Sequence, residues 1–419
     1  MIAGSAAGPN TSTHGQWMAR ALVFLTDAFG GRGGIAQFNR DLLTSLSNDP
    51  AYTRVVALPR ILFDKSPRVP AKLDFRTKSA GSKARYVIES VRTVINGRFD
   101  VVICAHINLL SIAAVAAAAQ RVPLLLVIYG MEAWKAPKGL AARLAKRVDA
   151  VVAISDCTRK RFLSWSGVQA SRLHVIPCCV DAKRFCKGPK RDDLLRRYRL
   201  RGRTVILTVA RLAGGERGKG IDEVLESLTT IAHEIPNISY LVVGEGPDRE
   251  RLERKAESLG VANRVVFTGF VPEREKADHY RLADAFVMPG RREGFGIVYL
   301  EALACGLPVV ASSLDGSAEV VLNHHFGRVV DPDCPVALQT AVVDLLVASE
   351  RVGPRELSAF SVGSFRARWN WLLAEMNVGN LATHPKLTRE PAFQDARGFG
   401  RAYGQEKPAS TASRVVVDR

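Results

Sequence analysis

Short apolar runs alternate along the chain with longer stretches in which apolar side chains recur every three or four positions. The runs are Ala21–Thr26, Asp100–Ala105, Pro123–Ile128, Ala150–Ser155, Thr204–Ala210, Ser239–Val243, Val265–Thr268, Ala285–Met288 and Val309–Ser312. They read as strands buried on both faces, because such strands need no polar alternation. Between them, Ile35–Leu46 places Phe38, Leu42, Leu43 and Leu46 on one helical stripe. Lys83–Asn96, the Ala-rich Leu109–Gln120, Lys138–Asp149, Pro335–Ala348 and Phe360–Met376 also read as helices. Leu109–Gln120 is expected to be buried. Regular strand–helix alternation predicts an α/β chain with parallel sheets, whose ligands sit beyond the C-terminal ends of strands.

At 419 residues, two domains are expected. Apolar content of 47% and a mean hydropathy of +0.02 describe a soluble globular composition. The Gly-, Ser-, Thr- and Pro-rich residues 1–19 read as a disordered leader, and the polar residues 378–419 as a disordered tail. No apolar run reaches the length of a membrane span, and the leader has no apolar signal core. The seven cysteines follow no zinc or disulfide spacing. The expected location is therefore cytoplasmic, or peripheral at the inner face of a membrane. The net charge of +18 changes that picture most, because it points to an anionic ligand or surface. Residues 51–99 alone carry eleven basic and three acidic side chains. In Lys138–Asp149, Leu140, Leu144 and Val148 form a stripe flanked by Arg143, Lys146 and Arg147. That pattern suits either an anionic membrane surface or a plain solvated face.

The most informative stretch is Asp284–Ser313, which reads strand, loop, helix, turn, strand. Met288-Pro289-Gly290 ends the first strand, and a helix begins near Gly296. Gly294 and Gly296 leave the helix entry without bulk, so its amides can approach an anion that the helix dipole favours. Glu293 precedes the helix, and Glu301 lies eight positions later within it. An anion seat between two carboxylates suits a phosphorylated, hydroxyl-rich ligand.

The order Glu293-Gly294-Phe295-Gly296, Glu301-Ala302, Gly306-Leu307-Pro308-Val309 resembles the signature of retaining glycosyltransferases of the GT-B fold, family 4 (glycosyl transferases group 1). The resemblance is continuous over Thr204–Asp331 and patchy over residues 20–187. It implies an N-terminal Rossmann-like acceptor domain at 20–187, a linker at 188–203 and a nucleotide-sugar domain at 204–360. A helix at 361–377 would then cross back to the first domain. It further implies that Glu293 contacts the donor sugar and Glu301 the ribose. Arg211 and Lys219, at a strand end and a helix start, would hold the donor phosphates with the helix-start amides of Phe295, Gly296 and Ile297. Val271 stands where the family contacts the nucleobase, and Gly33-Gly34 where a loop faces the pyrophosphate. The motif Gly31-x-Gly33-x-x-Ala36 also fits a dinucleotide fingerprint, but no acidic residue ends the next strand at Arg54–Leu58.

Tyr129 replaces the histidine that usually ends the strand Pro123–Ile128 in this family, in a phrase continuing Gly130-Met131-Glu132. Tyr129, Glu132 and His106, which ends the preceding strand, are candidates for contact with sugar or acceptor. Asp315-Gly316-Ser317-Ala318-Glu319 stands where the family often has Gly-Gly-x-x-Glu. Asp331-Pro332-Asp333 spells a metal motif but sits in a Pro-containing turn, so no metal is expected.

The implied function is metal-independent, retaining transfer of a mannose- or glucose-type hexose in polysaccharide or glycan biosynthesis. The donor would be GDP-mannose or a UDP-hexose, with no further cofactor. The acceptor would be a saccharide or lipid-linked saccharide. A GT-B epimerase or hydrolase of nucleotide sugars is the alternative, and it would act without an acceptor. A basic nucleic-acid-binding protein is disfavoured: only 7% of residues are aromatic and no recognition motif is present.

Overall fold

The computed structural model describes residues 19–64, 67–214, 218–321, 327–348, 354–376 and 378. The expected leader, apart from Ala19, and the expected tail, apart from Val378, lie outside the described residues.

The first sheet contains β1 (Ala19–Leu25), β2 (Tyr52–Pro59), β3 (Leu73–Phe75), β4 (Val101–Ala105), β5 (Leu124–Ile128), β6 (Ala150–Ala153) and β7 (Leu173–Val175). Its order is β3-β2-β1-β4-β5-β6-β7. The second contains β8 (Thr204–Val209), β9 (Ile238–Val243), β10 (Val265–Gly269), β11 (Ala285–Val287), β12 (Val309–Ser312) and β13 (Gly327–Val330), in the order β10-β9-β8-β11-β12-β13. Pairing is parallel, as in Leu22↔Val102 of β1 and β4 and Ile206↔Tyr240 of β8 and β9. Central strands are buried along nearly their whole length, which is why they appear in the sequence as unbroken apolar runs.

The helices are α1 (Gly34–Ser47), α2 (Lys83–Ile95), α3 (Leu110–Gln120), α4 (Leu140–Ala145), α5 (Asp156–Ser166), α6 (Asp192–Arg197), α7 (Ile221–Glu234), α8 (Arg249–Ser258), α9 (Lys276–Arg281), α10 (Ile297–Ala304), α11 (Ala318–Val321), α12 (Pro335–Ala348) and α13 (Val362–Glu375). Packing divides the described residues into 19–126 with 369–378, and 127–368. In the first unit, Trp369 is fully buried and meets Phe38 of α1 edge-on, with centroids 6.4 Å apart. In the second, α7 presents Val224, Leu225, Leu228 and Ile231 to Ile206, Tyr240 and Val242 of the sheet. Each such side chain contributes about 1.5–3 kcal/mol when fully buried.

Three elements differ from the sequence reading. α3 is only partly buried, because alanines cover one face while Val115 is 70% exposed on the other. α4 is far shorter than Lys138–Asp149. Gly139 has φ +81° immediately before it, a left-handed conformation that delays the helix to Leu140. The expected linker contains α6, with Asp192 and Asp193 in its first turn and Arg196 and Arg197 in its last, charges that complement the helix dipole. On α2, Val87, Ile88, Val91 and Ile95 are exposed beside Arg85 and Arg92.

Candidate functional site

The loop between β11 and α10 is held from below. The Tyr299 hydroxyl donates to the Met288 carbonyl, and the Arg291 amide donates to the Gly218 carbonyl at 2.8 Å. Gly220, at the start of α7, has φ +80°, and a Cβ there would meet the Pro289 carbonyl oxygen at 2.6 Å. The α7 entry and the β11–α10 loop therefore lie backbone on backbone, and this brings together two residues 74 positions apart. Lys219 Nζ lies 2.8 Å from Glu293 Oε2, with the two side chains 22% and 20% exposed. The Glu293 amide donates to Asp315 Oδ2 at 2.8 Å, and its carbonyl accepts from Gly316 at 2.9 Å. Asp315 also accepts from the amide and hydroxyl of Ser317. Burial raises its pKa against the lowering effect of those bonds.

A third backbone joins this pair. A Cβ on Gly294 would meet the Tyr129 carbonyl oxygen at 1.9 Å, and one on Gly316 would meet the Gly294 carbonyl oxygen at 2.1 Å. Glu132 fixes the Tyr129 turn: its Oε1 accepts from the Tyr129 amide at 2.5 Å and the Gly130 amide at 3.2 Å. Of the candidates, Glu293, Lys219, Gly294 and the Tyr129–Glu132 turn thus form one cluster. Gly296 has φ +90° at the N-terminal end of α10, where the first-turn amides emerge. The Phe295 ring is buried 5.9 Å from that of Phe360, so only its backbone is placed to meet a ligand.

Glu301 belongs to a different group. Its side chain is 4% exposed, and its carboxylate accepts from Lys276 Nζ at 2.8 Å and the Tyr280 hydroxyl at 2.7 Å. Burial, and then the Glu301 charge, push the Tyr280 phenol well above its ordinary range. Arg211 is exposed just beyond β8, on a segment braced by Gly244 and Gly246; a Cβ on either would strike the Ala210 or Leu212 carbonyl. Val271 is half-buried beyond β10. In the other unit, Gly33 has φ +93° before α1, and neither Gly33 nor Gly34 has an atom within 4 Å of where a Cβ would be. His106 follows β4 nearly buried, its Nδ1 accepting from the Asn108 amide at 3.2 Å.

Sequence reasoning assigned no role to Asp315, Glu319, Lys276 or Tyr280. Glu319 reaches the start of α5, where its carboxylate accepts from the Asp156 amide at 2.8 Å and the Cys157 amide at 2.6 Å. Burial raises its pKa to about 7, opposed by those two amides. The only sequence signal was the position of Asp315 and Glu319 in the Asp-Gly-Ser-Ala-Glu phrase. In Asp331-Pro332-Asp333, Asp331 Oδ1 accepts the Asp333 amide and Asp333 pairs with Arg291. Among the described residues, no group of three His, Cys, Asp or Glu is set to hold a metal.

The arrangement places a cation, a helix N-terminus and a carboxylate beyond parallel strand ends. It can bind a diphosphate and stabilise negative charge on it, with a carboxylate beside the attached group.

Comparison with known proteins identifies the family. Residues 32–184 match the model for glycosyltransferase family 4, and residues 191–352 that for glycosyl transferases group 1. A GDP-mannose-dependent alpha-(1-6)-phosphatidylinositol monomannoside mannosyltransferase of Mycolicibacterium smegmatis is 40% identical over 259 residues. That match covers 59% of this chain and 65% of the relative, just under two thirds. The enzyme of the same description from Mycobacterium tuberculosis is 31% identical over 385 residues, covering 86% of this chain and 97% of the relative. The crystal structure of Anabaena Alr3699/HepE with UDP-glucose superposes with a TM-score of 0.67 at 21% identity, covering 85% of this chain and 99% of that one. At that identity the likeness shows the fold, two parallel-sheet Rossmann-like domains of GT-B type.

Proposed function

The chain belongs to glycosyltransferase family 4 of the glycosyl transferases group 1, and from that premise we propose that it moves mannose from GDP-mannose to a lipid-linked saccharide, with retention. The observation that carries this reading is the Lys219–Glu293 pair at the start of α7 and before α10. A nucleotide sugar brings a diphosphate and a sugar to one place, and the pair offers a cation to the first and a carboxylate to the second. The donor base and sugar rest on the mannosyltransferase relatives, which are GDP-mannose-dependent by description. Their phosphatidylinositol monomannoside acceptors supply the acceptor class.

In this scheme Arg211, Lys219 and the α10 amides stabilise the leaving diphosphate as its charge grows. Glu293 holds the sugar while positive charge develops at the reacting carbon. The acceptor attacks on the face from which the diphosphate departs, and a leaving phosphate oxygen takes the acceptor's proton. The protein need supply no base and no metal: its own cations take the place of a divalent ion. The exposed apolar face of α2 and the basic 51–99 stretch support peripheral association with an anionic membrane.

The test is transfer of labelled sugar from GDP-mannose, UDP-glucose or UDP-galactose to phosphatidylinositol mannosides, with the anomeric configuration of the product read by NMR. An α-linked mannoside formed equally with and without chelator is the expected result. An inverted product, transfer from a UDP-hexose only, or release of free sugar without transfer would overturn the corresponding part.

A further inference from the structure

A half-open hollow of about 620 Å³ lies beside α4. Leu140, Leu144 and Trp165 give it apolar walls. The Trp165 indole is fixed in place: its Nε1 donates to the Ala133 carbonyl at 2.8 Å, and its ring meets Phe162 edge-on at 4.9 Å. Arg143, Lys146 and Arg147 also line the cavity, no carboxylate does, and none of the three forms an ion pair among the described residues. Elsewhere in this unit Arg251, Lys255, Lys276 and Arg291 sit on carboxylates. Three uncommitted cations beside an apolar hollow are complementary to one kind of molecule, an anionic head carrying an alkyl chain.

Two elements run from this cavity to the sugar site. α5 carries Trp165 near its end. Its first amides are held by Glu319, and the Thr158 hydroxyl approaches the Gly294 carbonyl at 3.5 Å. From Asp156 to Trp165 the helix rises about 14 Å at 1.5 Å per residue. The segment from Tyr129, packed on Gly294, continues to Ala136 in the cavity wall. An amphiphile seated here would lie about one α5 length from the end of that helix which touches Gly294.

We propose that the α4–Trp165 cavity binds the alkyl-phosphate portion of the lipid acceptor, the three cations taking the phosphate and Leu140, Leu144 and Trp165 the chain. The proposal rests on the lipid-acceptor reading above and adds the place where that acceptor is held.

The probe is dodecyl phosphate below its micellar concentration, titrated calorimetrically into the full chain, with inorganic phosphate and dodecyl maltoside as comparators. Leu140 is 57% exposed and Arg143 and Arg147 are exposed, so L140S and R143E/R147E are expected to leave the melting temperature unchanged. Dodecyl phosphate should bind, and weaken at least tenfold in either variant; both comparators should bind at least tenfold more weakly. In turnover, dodecyl phosphate should compete with the lipid acceptor, and R143E/R147E should raise the acceptor KM without changing donor hydrolysis. Absence of binding, equal binding of the maltoside, or unchanged affinity in both variants would overturn the site. Binding without competition would overturn its assignment to the acceptor. Failure of sugar transfer in the unaltered protein would sink the functional reading alone, since the titration needs no turnover.

Discussion

Lys219 and Glu293, 74 residues apart, share a 2.8 Å ion pair across the start of α7 and the loop before α10. Both side chains keep about a fifth of their surface in solvent, so water still screens the pair and losing it costs less than breaking a fully buried one. Its importance is chemical. Lys219→Ala and Glu293→Gln are expected to shift the melting temperature little and to lower kcat strongly. Arg211→Ala should lose about 10²–10³ in rate, the scale for removing one group that stabilises transition-state charge. Steady-state kinetics beside thermal melts measure both; full turnover in Arg211→Ala or Glu293→Gln would falsify the scheme.

Glu301 should behave differently. With Lys276 and Tyr280 both bonded to its buried carboxylate, Glu301→Ala removes one partner of a buried ion pair, at a cost of about 3–5 kcal/mol. A lower melting temperature without any ligand is expected, and to a lesser degree also for Glu301→Gln, which keeps the shape but leaves Lys276 without this carboxylate and in addition weakens donor binding. An unchanged melt in Glu301→Ala would remove the structural role.

Glu319 gives stability a pH dependence. Its folded pKa, about 7, lies above the ordinary value of 4.5, so between these values the folded state binds more protons than the unfolded. This contribution is fully present below about pH 4.5 and is lost as pH rises through 7. Melting temperatures taken from pH 5 to 8 should fall for the unaltered chain relative to Glu319→Gln. Parallel curves would show that this carboxyl does not titrate in the window.

Tyr129 meets Gly294 through its carbonyl. Tyr129→Phe should keep turnover within about tenfold, since at most one neutral hydrogen bond is lost. A thousandfold loss would assign the phenol a chemical role.

Membrane association should be electrostatic. Binding to vesicles rich in anionic lipid should fade as salt rises towards roughly 0.5 M, where the Debye length is only a few ångströms. Equal binding to neutral vesicles would contradict this.

The sequence was most informative where the chain does its work locally. Glu293, the two glycines and Glu301 lie on one strand–loop–helix unit, so their order could be matched to a family signature, and the strand ends followed from unbroken apolar runs. What stayed hidden depends on contacts between distant segments. Nothing in the order of residues reveals that Glu319 caps a helix 162 positions earlier. Lys276 and Tyr280 are four apart on α9, a spacing that puts both on one helix face, but not which carboxylate they meet. The length of α4 was misjudged because Leu140, Leu144 and Val148 keep helical spacing although the helix begins only after Gly139 and ends at Ala145.

The Tyr129, Gly294 and Gly316 segments touch through main-chain atoms, with no side chain interposed. Their separations are therefore set by the thickness of a peptide group, a dimension no substitution can adjust by small steps. Any residue larger than glycine at 294 or 316 must displace a whole segment, and Glu293 with it. Libraries that seek altered sugar preference should leave these two positions alone and vary the loops they anchor. An inactive Gly294→Ala protein would report a shifted frame and say nothing about which atoms the substrate meets.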